Sequence, residues 1–493
     1  MFLSTWFFLP TIFAYLVFHL LWHQHKKRIL PECIPILPTL PLIGSVHHLL
    51  QDRDLLQLIR KWHLKLGPIF GLSLFGIPAV VLNEPSYLQK ILSSSEPGHL
   101  TRPSLHTSAL MPPKFHVGVL PSNGEKWKSQ RMIVGKGFTH EALKSYLPIF
   151  NLHGKRLISE LKNILPENEG EAITQLQDLL VHTALRININ VITGNNVKGD
   201  DESSQFLQDF HFIEDTVANF VTSPWFAIPP FSWWYRTRKA EVGKKAGNCE
   251  RFLQKMLKQC KNGEEDPSFQ SMMRVMLNQG VCEEDLISEC LWLSFAGSNT
   301  VGLTLLFTLF NLALHVDHQE KCREEVDGVF SEVEEKGGNL GNDDIFKLLY
   351  LDRCIKESQR MFSVIPFSTR QLQSSFKLDE NVELSKGTFV FASHDAVHIN
   401  PKVFPNPEKF DPDRFLPENI RTRSSYAFTP FSAGRRDCIG AKFAMLEMKV
   451  VLAWVLRHFE LETLDSYDNV ECQYNVAVSP KRLIRFRLKE RKL

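Results

Sequence analysis

The sequence predicts a mainly α-helical fold with a minor β region, placed behind an N-terminal transmembrane helix. Apolar residues recur with a helical period across most of residues 139–362, as in 142–161, 205–220, 239–261, 284–315 and 344–362. Short strand-like runs occur near 69–74, 79–82, 389–392 and 483–488. Helices and strands do not alternate, and no Gly-x-Gly-x-x-Gly loop occurs. A dinucleotide-binding fold is therefore not expected.

The first 22 residues differ in kind from the rest of the chain. They contain no Asp, Glu, Lys or Arg, and about 20 apolar residues suffice to cross a bilayer as a helix. Lys26, Lys27 and Arg28 follow, and basic flanks stay cytoplasmic, so the N-terminus should be lumenal and the body cytosolic. A cleaved signal peptide would instead carry positive charge before the apolar run and small residues at its cleavage site. We therefore predict a retained anchor.

Three segments are expected along the chain. Residues 1–25 form the anchor, residues 26–45 a proline-rich hinge, and residues 46–493 one large domain. Prolines at the density of the hinge make a stiff, extended spacer. Length alone would suggest about three domains. However, no Gly/Ser-rich linker or block of charge divides the long third segment.

Composition excludes several classes of protein. The net charge of +2 over 493 residues gives no reason to expect a nucleic-acid partner. The nine cysteines are odd in number, and none forms a Cys-x-x-Cys pair. This usage argues against a structural zinc site and a disulfide framework, and it favours a reducing compartment.

The most informative segment is 431–440, which reads FSAGRRDCIG. Its pattern Phe-x-x-Gly-x-Arg-x-Cys-x-Gly has odds on the order of 10⁻⁴ of arising by chance in a chain this long. Cys438 offers a thiolate to the axial position of an iron, and such a ligand favours O–O cleavage. Arg436 carries a fork that suits a haem propionate, and Phe431 would shield the sulfur. The alternative is an inert, buried cysteine in a glycine-containing turn.

A second set of residues predicts a structural network. Glu357 and Arg360 stand three residues apart, on one face of an amphipathic helix. Downstream comes the sequence FDPDRF at 410–415, which contains Arg414. These three side chains are expected to form a buried charge network that fixes the approach of the 431–440 loop.

Taken in order, these motifs resemble those of a membrane-bound eukaryotic cytochrome P-450. The resemblance covers Trp127 with Arg131, the sequence AGSNT at 296–300, Glu357 with Arg360, residues 411–415 and the 431–440 loop. It implies the cytochrome P-450 fold and a haem b cofactor, which is iron protoporphyrin IX. The run FSAGRRDCIGAKFAMLEMK further resembles the family-4 clan, many of whose members hydroxylate fatty acids near the chain end.

The resemblance also assigns roles to single residues. Trp127, Arg131 and Arg370 would bind the haem propionates. Thr300 would hydrogen-bond dioxygen and organise water for proton delivery. Asn299 stands where the family usually has an acid, and an amide cannot transfer a proton by ionising.

One further position departs from the family-4 pattern. Ala296 stands where that clan often has a glutamate esterified to the haem. A covalent link through residue 296 is therefore not expected, and selectivity for the terminal carbon is in doubt.

The implied activity is insertion of one oxygen atom from O2 into a C–H bond of a lipophilic substrate, such as a fatty acid or related lipid. Electrons would come from NADPH through a flavoprotein reductase, with cytochrome b5 as a further partner, at the endoplasmic reticulum membrane. A basic face comprising Lys126, Lys128, Arg435 and Lys442 would steer the reductase. Substrate contacts would lie in 101–120, 206–235, 292–304, 364–368 and 474–479. Arg102, Lys114 and Arg236 are weak anchors for a substrate carboxylate.

Two other functions remain open at this point. One is a haem-thiolate isomerase or dehydratase that rearranges a peroxide without a reductase; Asn299 favours it and Thr300 argues against it. The other is a non-catalytic haem carrier or sensor, which leaves the 296–300 motif unexplained.

Overall fold

The structure is a computed structural model. It describes residues 12–20, 30–40, 44–45, 47–48, 55–74, 76–102, 115, 117–165, 172–195, 201–222, 232–334 and 338–492. For residues 201, 218–222 and 232–237 it describes the backbone alone.

Helices make up most of the described chain. In chain order they are α1 Leu55–Leu66, α2 Pro85–Ser93, α3 Gly124–Gly135, α4 His140–Ser145, α5 Leu147–Ile164, α6 Leu176–Thr193, α7 Asp201–Thr222, α8 Ser232–Asn262, α9 Met272–Asn278, α10 Glu283–Leu314, α11 Val316–Glu334, α12 Asn342–Lys347, α13 Leu349–Met361, α14 His394–His398, α15 Pro417–Arg421 and α16 Ala441–His458. The strands are β1 Ile69–Leu74, β2 Ile77–Leu82, β3 Phe367–Gln371, β4 Phe376–Lys377, β5 Glu383–Leu384, β6 Phe389–Ser393, β7 Phe459–Thr463, β8 Cys472–Asn475, β9 Ala477–Pro480 and β10 Phe486–Glu490. The expectation of a mainly helical fold with a minor β region is confirmed.

The chain divides into two compact units. The first draws on Met1–Pro103, Pro366–Pro405 and Ser424–Asp437. The second draws on Ser104–Ile365, Asn406–Arg423 and Cys438–Leu493. Each unit is therefore assembled from segments that are distant in sequence.

The first unit is built on a four-stranded sheet with the order β1-β2-β6-β3. Strands β2 and β6 run parallel, with Val80 opposite Val390, and the other neighbours are antiparallel. Apolar, β-branched side chains suit a pleated surface that is covered by other elements. Here Val80 and Val390 are fully buried with Leu88 and Ile91 of α2 in one core.

The second unit is built around α10, a 32-residue helix that is buried along most of its length. Its principal neighbour is α6, and Gly302 permits their close approach. A Cβ at Gly302 would lie 2.7 Å from the Cα of Val181 on α6. Such a distance leaves no space for any side chain larger than hydrogen.

Within the described residues, one helix is long and apolar enough to cross a membrane, and it is α10. Most of its apolar window is buried inside the protein, as expected for the central helix of a core. The predicted anchor falls largely outside the described residues. Residues 12–20 of it are helical, with exposed apolar side chains such as Phe13, Phe18 and Leu20.

Two predicted helices are interrupted in the structure. The 142–161 prediction corresponds to α4 and α5, which are separated at Tyr146. Pro148 lies in the first turn of α5, where its missing N–H needs no helical acceptor. The 344–362 prediction is divided at Leu348 into α12 and α13.

We expect Gly302→Ala to destabilise the protein by about 1–3 kcal/mol, because the added methyl group overlaps the backbone of α6. Gly328→Ala in α11 is the matched control, since a Cβ there meets no atom within 4 Å. That control should be neutral or stabilising by up to about 1 kcal/mol, because alanine is the better helix former. Thermal unfolding of both variants checks this. Equal melting temperatures would contradict the close-packing argument.

Candidate functional site

Cys438 lies immediately before a helix in the second unit. It is exposed, and its carbonyl oxygen accepts the N–H of Ala441, where α16 begins. A Cβ at Gly440 would stand 3.9 Å from the Cys438 sulfur, so the backbone passes close to the thiol. The positive end of an 18-residue helix favours an anion. None of the nine cysteines forms a disulfide, and six are buried. Cys438 is exposed and precedes a helix N-terminus, an arrangement that favours a thiolate.

The preceding part of the loop makes a tight turn in the first unit. Gly434 has a φ of +76°, and a Cβ at this residue would meet the carbonyl oxygen of Leu92 at 1.8 Å. Both the left-handed backbone and the close approach therefore require glycine. The 3₁₀ turn Gly434–Arg436 then buries Arg436, while Phe431 is half-buried.

Arg370, on β3 of the first unit, is a buried cation. Its Nη1 donates to the carbonyl oxygen of Thr369, but its Nε has no hydrogen-bond partner in the described part of the chain. Burial, with a smaller contribution from nearby Arg102, lowers the pKa of Arg370 to about 9. Arg102 in turn donates to the carbonyl oxygen of Arg436 at 3.4 Å. Three arginines therefore gather in this unit, and an anion such as a carboxylate would relieve their desolvation.

A buried hydrogen-bond chain reaches the loop from the sheet of the first unit. Ser368 on β3 donates to the hydroxyl oxygen of Ser432 at 3.0 Å. His394 lies 2.8 Å from Ser368 through its Nε2 and 2.7 Å from Thr429 through its Nδ1. Because the Ser368 hydroxyl proton goes to Ser432, its oxygen accepts from Nε2–H of His394. Nδ1 then accepts the hydroxyl proton of Thr429, so the chain has one direction.

This chain of hydrogen bonds ends at a residue whose backbone is strained. Ser432 has a φ of 61°, a left-handed conformation that costs a non-glycine residue about 1–2 kcal/mol. Burial, together with the nearby Arg370 charge, lowers the pKa of His394 to about 3, so the imidazole is neutral at physiological pH. The neutral ring has one donor and one acceptor, and both are used. We conclude that this chain of hydrogen bonds fixes the backbone at Ser432, six residues before Cys438.

Trp127 and Arg131 lie on one face of α3 in the second unit. Trp127 is buried and Arg131 is half-buried. The predicted spacing of four residues is therefore realised on a single helix. Nearby, Lys126 pairs with Asp285 at 3.7 Å and Lys128 with Glu125 at 2.6 Å, so acidic side chains partly neutralise the predicted basic face.

The predicted charge network forms in the second unit. Glu357 and Arg360 have no exposed side-chain surface, and they join through two hydrogen bonds of 2.7 and 2.8 Å. Arg414 donates to the same carboxylate at 3.2 Å, and the N–H of Asp411 does so at 2.9 Å. Arg360 also donates to the carbonyl oxygen of Pro407 at 2.7 Å. The pair therefore holds the segment 406–423 against α13.

The predicted oxygen-binding motif lies in the middle of α10. Thr300 donates to the carbonyl oxygen of Ala296 at 2.7 Å, so its hydroxyl oxygen keeps lone pairs available to accept. Ala296 is exposed, and Asn299 and Thr300 are half-buried. A Cβ at Gly297 would lie 2.5 Å from the Asn188 side chain on α6, which explains the glycine there.

The first half of α10 also holds the segment that precedes α3. Both carboxylate oxygens of Glu289 accept the N–H of Val119, at 2.9 and 3.1 Å. The indole of Trp292, one turn later, donates to the carbonyl oxygen of Phe115 at 3.0 Å. Burial, reinforced by nearby Asp285, raises the pKa of Glu289 to about 7. Most of the predicted substrate loop, at 103–114 and 116, lies outside the described residues.

Sequence reasoning missed three features of this site. Arg102, considered only as a substrate anchor, contacts the 431–440 loop. His394 carried no sequence signal, since one histidine in a short helix is uninformative. Glu214 carried a weak one, because it interrupts the apolar stripe of α7 formed by Phe206, Phe210, Ile213 and Val217.

Comparison with known proteins identifies the family. The model of the cytochrome P450 family matches residues 34–486, nearly the whole chain. Cytochrome P450 4c21 of Blattella germanica is 27% identical over 94% of each chain. Probable cytochrome P450 4ac1 of Drosophila melanogaster is 31% identical over 78% of this chain and 76% of its own. Cytochrome P450 4V2 of Rattus norvegicus is 28% identical over 86% and 82%.

The chain therefore belongs to the cytochrome P450 family. It is a cytochrome P450 monooxygenase, and the family implies a haem cofactor, dioxygen, a small-molecule substrate and redox partners. The relatives named above are members of family 4, as the sequence resemblance suggested.

The role of the His394 chain can be tested at Ser432. We expect Ser432→Ala to destabilise the protein by about 1 kcal/mol, because it removes a hydrogen bond and keeps the strained φ. Ser432→Gly should cost less, because glycine adopts this φ without strain. Ser368→Ala should cost about 1–3 kcal/mol both alone and beside Ser432→Gly, because it also leaves the buried Nε2–H of His394 without an acceptor. Thermal unfolding and haem content measure these effects. Equal losses for the alanine and glycine variants would argue against backbone strain at residue 432, and an unchanged Ser368→Ala would argue against the role of the hydrogen-bond chain.

Proposed function

We propose that this cytochrome P450 inserts one atom of O2 into a C–H bond of a lipophilic substrate, with a fatty acid or related lipid as the first class to test. The proposal depends chiefly on Cys438, an exposed thiol at the start of α16 within the family's loop pattern. NADPH supplies the electrons through a flavoprotein reductase, and cytochrome b5 is a second donor.

The residues present fit a haem. A porphyrin carries two carboxylates, and the buried Arg370 has an Nε with no partner among the described residues. Arg436 and Arg102 extend the same positive region of the first unit. Cys438 would ligate the iron, Trp127 and Arg131 would bind a propionate through α3, and Phe431 would shield the sulfur. When bound, the haem supplies the redox chemistry that activates dioxygen.

The haem is proposed to be haem b, held without a covalent link to residue 296. Alanine has no group that could esterify the porphyrin. Thr300 would hydrogen-bond dioxygen and organise water for proton delivery, and Asn299 would orient a water through its amide. Small residues at 296 and 297 keep this part of α10 narrow.

The remaining proposals concern location. Residues 1–25 anchor the chain in the endoplasmic reticulum membrane, residues 26–45 act as a hinge, and residues 46–493 form one catalytic domain facing the cytosol. The exposed apolar side chains of helical residues 12–20 support an anchor, because such a surface suits lipid. The pairing of Lys126 and Lys128 with acids leaves Arg435 and Lys442 as the stronger contributors to reductase steering.

Product analysis tests the proposed function. The purified chain, reconstituted with reductase and NADPH, should convert a panel of fatty acids to hydroxylated products. Omitting either component should abolish the conversion. Turnover of a lipid peroxide without reductase would instead indicate an isomerase or dehydratase, and no turnover in either assay would favour a haem carrier.

Cys438→Ala should abolish the carbon monoxide difference band that marks a thiolate-ligated haem, because alanine cannot ligate iron. Cys282→Ala is the control, since Cys282 is also exposed and also stands at the start of a long helix, α10. Difference spectroscopy of both variants decides the assignment. A retained band in Cys438→Ala would refute the axial role of this cysteine.

Removing residues 1–25 should leave the haem spectrum intact and weaken association with membranes, because the apolar helix is lost. Flotation of both forms with lipid vesicles measures the change. A natural mature chain that begins after residue 22 would show that the segment is a signal peptide.

A further inference from the structure

One hydroxyl group on α10 departs from the pattern of its neighbours. Ser294, Thr300 and Thr304 each donate to the carbonyl oxygen four residues earlier, at 2.7–2.8 Å. Such back-bonding is usual for hydroxyl residues in a helix. Ser298 instead donates to Oε1 of Glu214 on α7, at 2.5 Å. The helix therefore directs one hydroxyl to a carboxyl group, in the turn that contains Asn299 and Thr300.

Glu214 is a buried acid with hydrogen-bonding capacity to spare. Only 3% of it is exposed, and its Oε2 has no hydrogen-bond partner among the described residues. Burial, reinforced by nearby Asp215, raises the pKa of Glu214 well above its usual range, although the Ser298 contact opposes this. A protonated carboxyl group is both a donor and an acceptor, which is what a proton-transfer site needs.

Titratable groups lead from Glu214 towards solvent. Nδ1 of His211 lies 4.0 Å from Oε2 of Glu214, and Nδ1 also has no hydrogen-bond partner in the described chain. Nε2 of the same ring lies 3.5 Å from Asp215. The side chains of His211 and Asp215 are 35% and 62% exposed. One water, or a small rotation of the ring, closes the gap between the histidine and the acid.

We propose that Glu214 supplies the acid that residue 299 lacks, passing protons through Ser298 towards Asn299 and Thr300. The inference rests on the monooxygenase function. In the relay the resting hydrogen bond reverses: the protonated Oε1 of Glu214 donates to the hydroxyl oxygen of Ser298, whose own proton leaves to a water. His211 then returns a proton from solvent to the carboxylate. Ser298 and Thr300 lie about 200° apart around the helix. Asn299 lies between them, and its amide holds the connecting water.

The alternative role for Glu214 is to join α7 to α10 structurally. Glu289→Gln is the matched control, because Glu289 is also a buried acid at α10 with a raised pKa. Its carboxylate, however, holds the backbone N–H of Val119 and not a hydroxyl group of α10. Glu214→Gln keeps the shape and the Ser298 hydrogen bond but removes the ionisable proton.

The experiment uses the full chain with reductase, NADPH and a turned-over lipid. NADPH, peroxide and product are measured together, in water and in deuterium oxide. Glu214→Gln should lower the product formed per NADPH by about tenfold and change the solvent isotope effect. Glu289→Gln should leave the solvent isotope effect unchanged, because Glu289 contacts the backbone of Val119 and no hydroxyl group of α10. Normal coupling in Glu214→Gln, with uncoupling in Thr300→Ala, would overturn the proposal and leave the monooxygenase function intact.

A rescue separates relay from structure. Asn299→Asp places an acid directly beside Thr300, so it should restore coupling in Glu214→Gln. A loss that Asn299→Asp does not rescue would assign Glu214 a structural role and overturn the proposal.

Infrared spectroscopy of the resting protein supplies a test that needs no turnover. The wild type should show the carbonyl band of a protonated carboxylic acid that Glu214→Gln removes and Ser298→Ala shifts. Absence of such a band would overturn the proposal even if the chain proved not to be a monooxygenase.

Discussion

The buried pair of Glu357 and Arg360 is the interaction on which the second unit most depends. Neither side chain reaches solvent, and each is fully committed to partners on the segment 406–423. Two charged side chains can be buried together only when their donors and acceptors have hydrogen-bond partners. Removing one member of such a pair costs about 3–5 kcal/mol, because the other charge remains buried. In the sequence, the segment 406–423 of the second unit lies between two parts of the first unit. The hydrogen bonds of Glu357 and Arg360 attach this segment to α13.

Much of the fold followed from the sequence, for physical reasons. The helices α7 and α10 were predicted within four residues at each end, because their periodic apolar positions extend over the whole helix. Helix α8 was predicted correctly at its end but begins seven residues earlier than predicted. Helix α6 was not among the helices named from the sequence. Its Asp178, His182 and Arg186 do lie on one partly exposed face, but other polar residues such as Asn188 and Asn190 are buried, which obscures the helical period. The breaks at Tyr146 and Leu348 were also missed, since each interrupts a pattern that remains periodic on both sides.

In the candidate site, too, some features were predicted from the sequence and others were not. The Glu357, Arg360 and Arg414 network was predicted correctly, because local spacing and charge were enough. The support of the 431–440 loop was not predicted, because Leu92, Ser368 and His394 are distant in sequence. His394 has a partner for both ring nitrogens and holds the loop, whereas Arg370 and Glu214 each keep one atom without a hydrogen-bond partner among the described residues. That atom is what lets Arg370 bind an anion and Glu214 exchange a proton.

The low pKa of His394 makes the support of the loop insensitive to acidity. Between roughly pH 4 and pH 9 the imidazole keeps one protonation state, so the direction of its hydrogen bonds does not change. Glu289, whose pKa lies at about 7, does ionise in that range, and it does so against the backbone of Val119. Its ionised form attracts that N–H more strongly, and this form predominates as pH rises through neutrality. The protein therefore combines a loop before its cysteine whose support does not change with pH and a contact between Val119 and α10 that strengthens as pH rises.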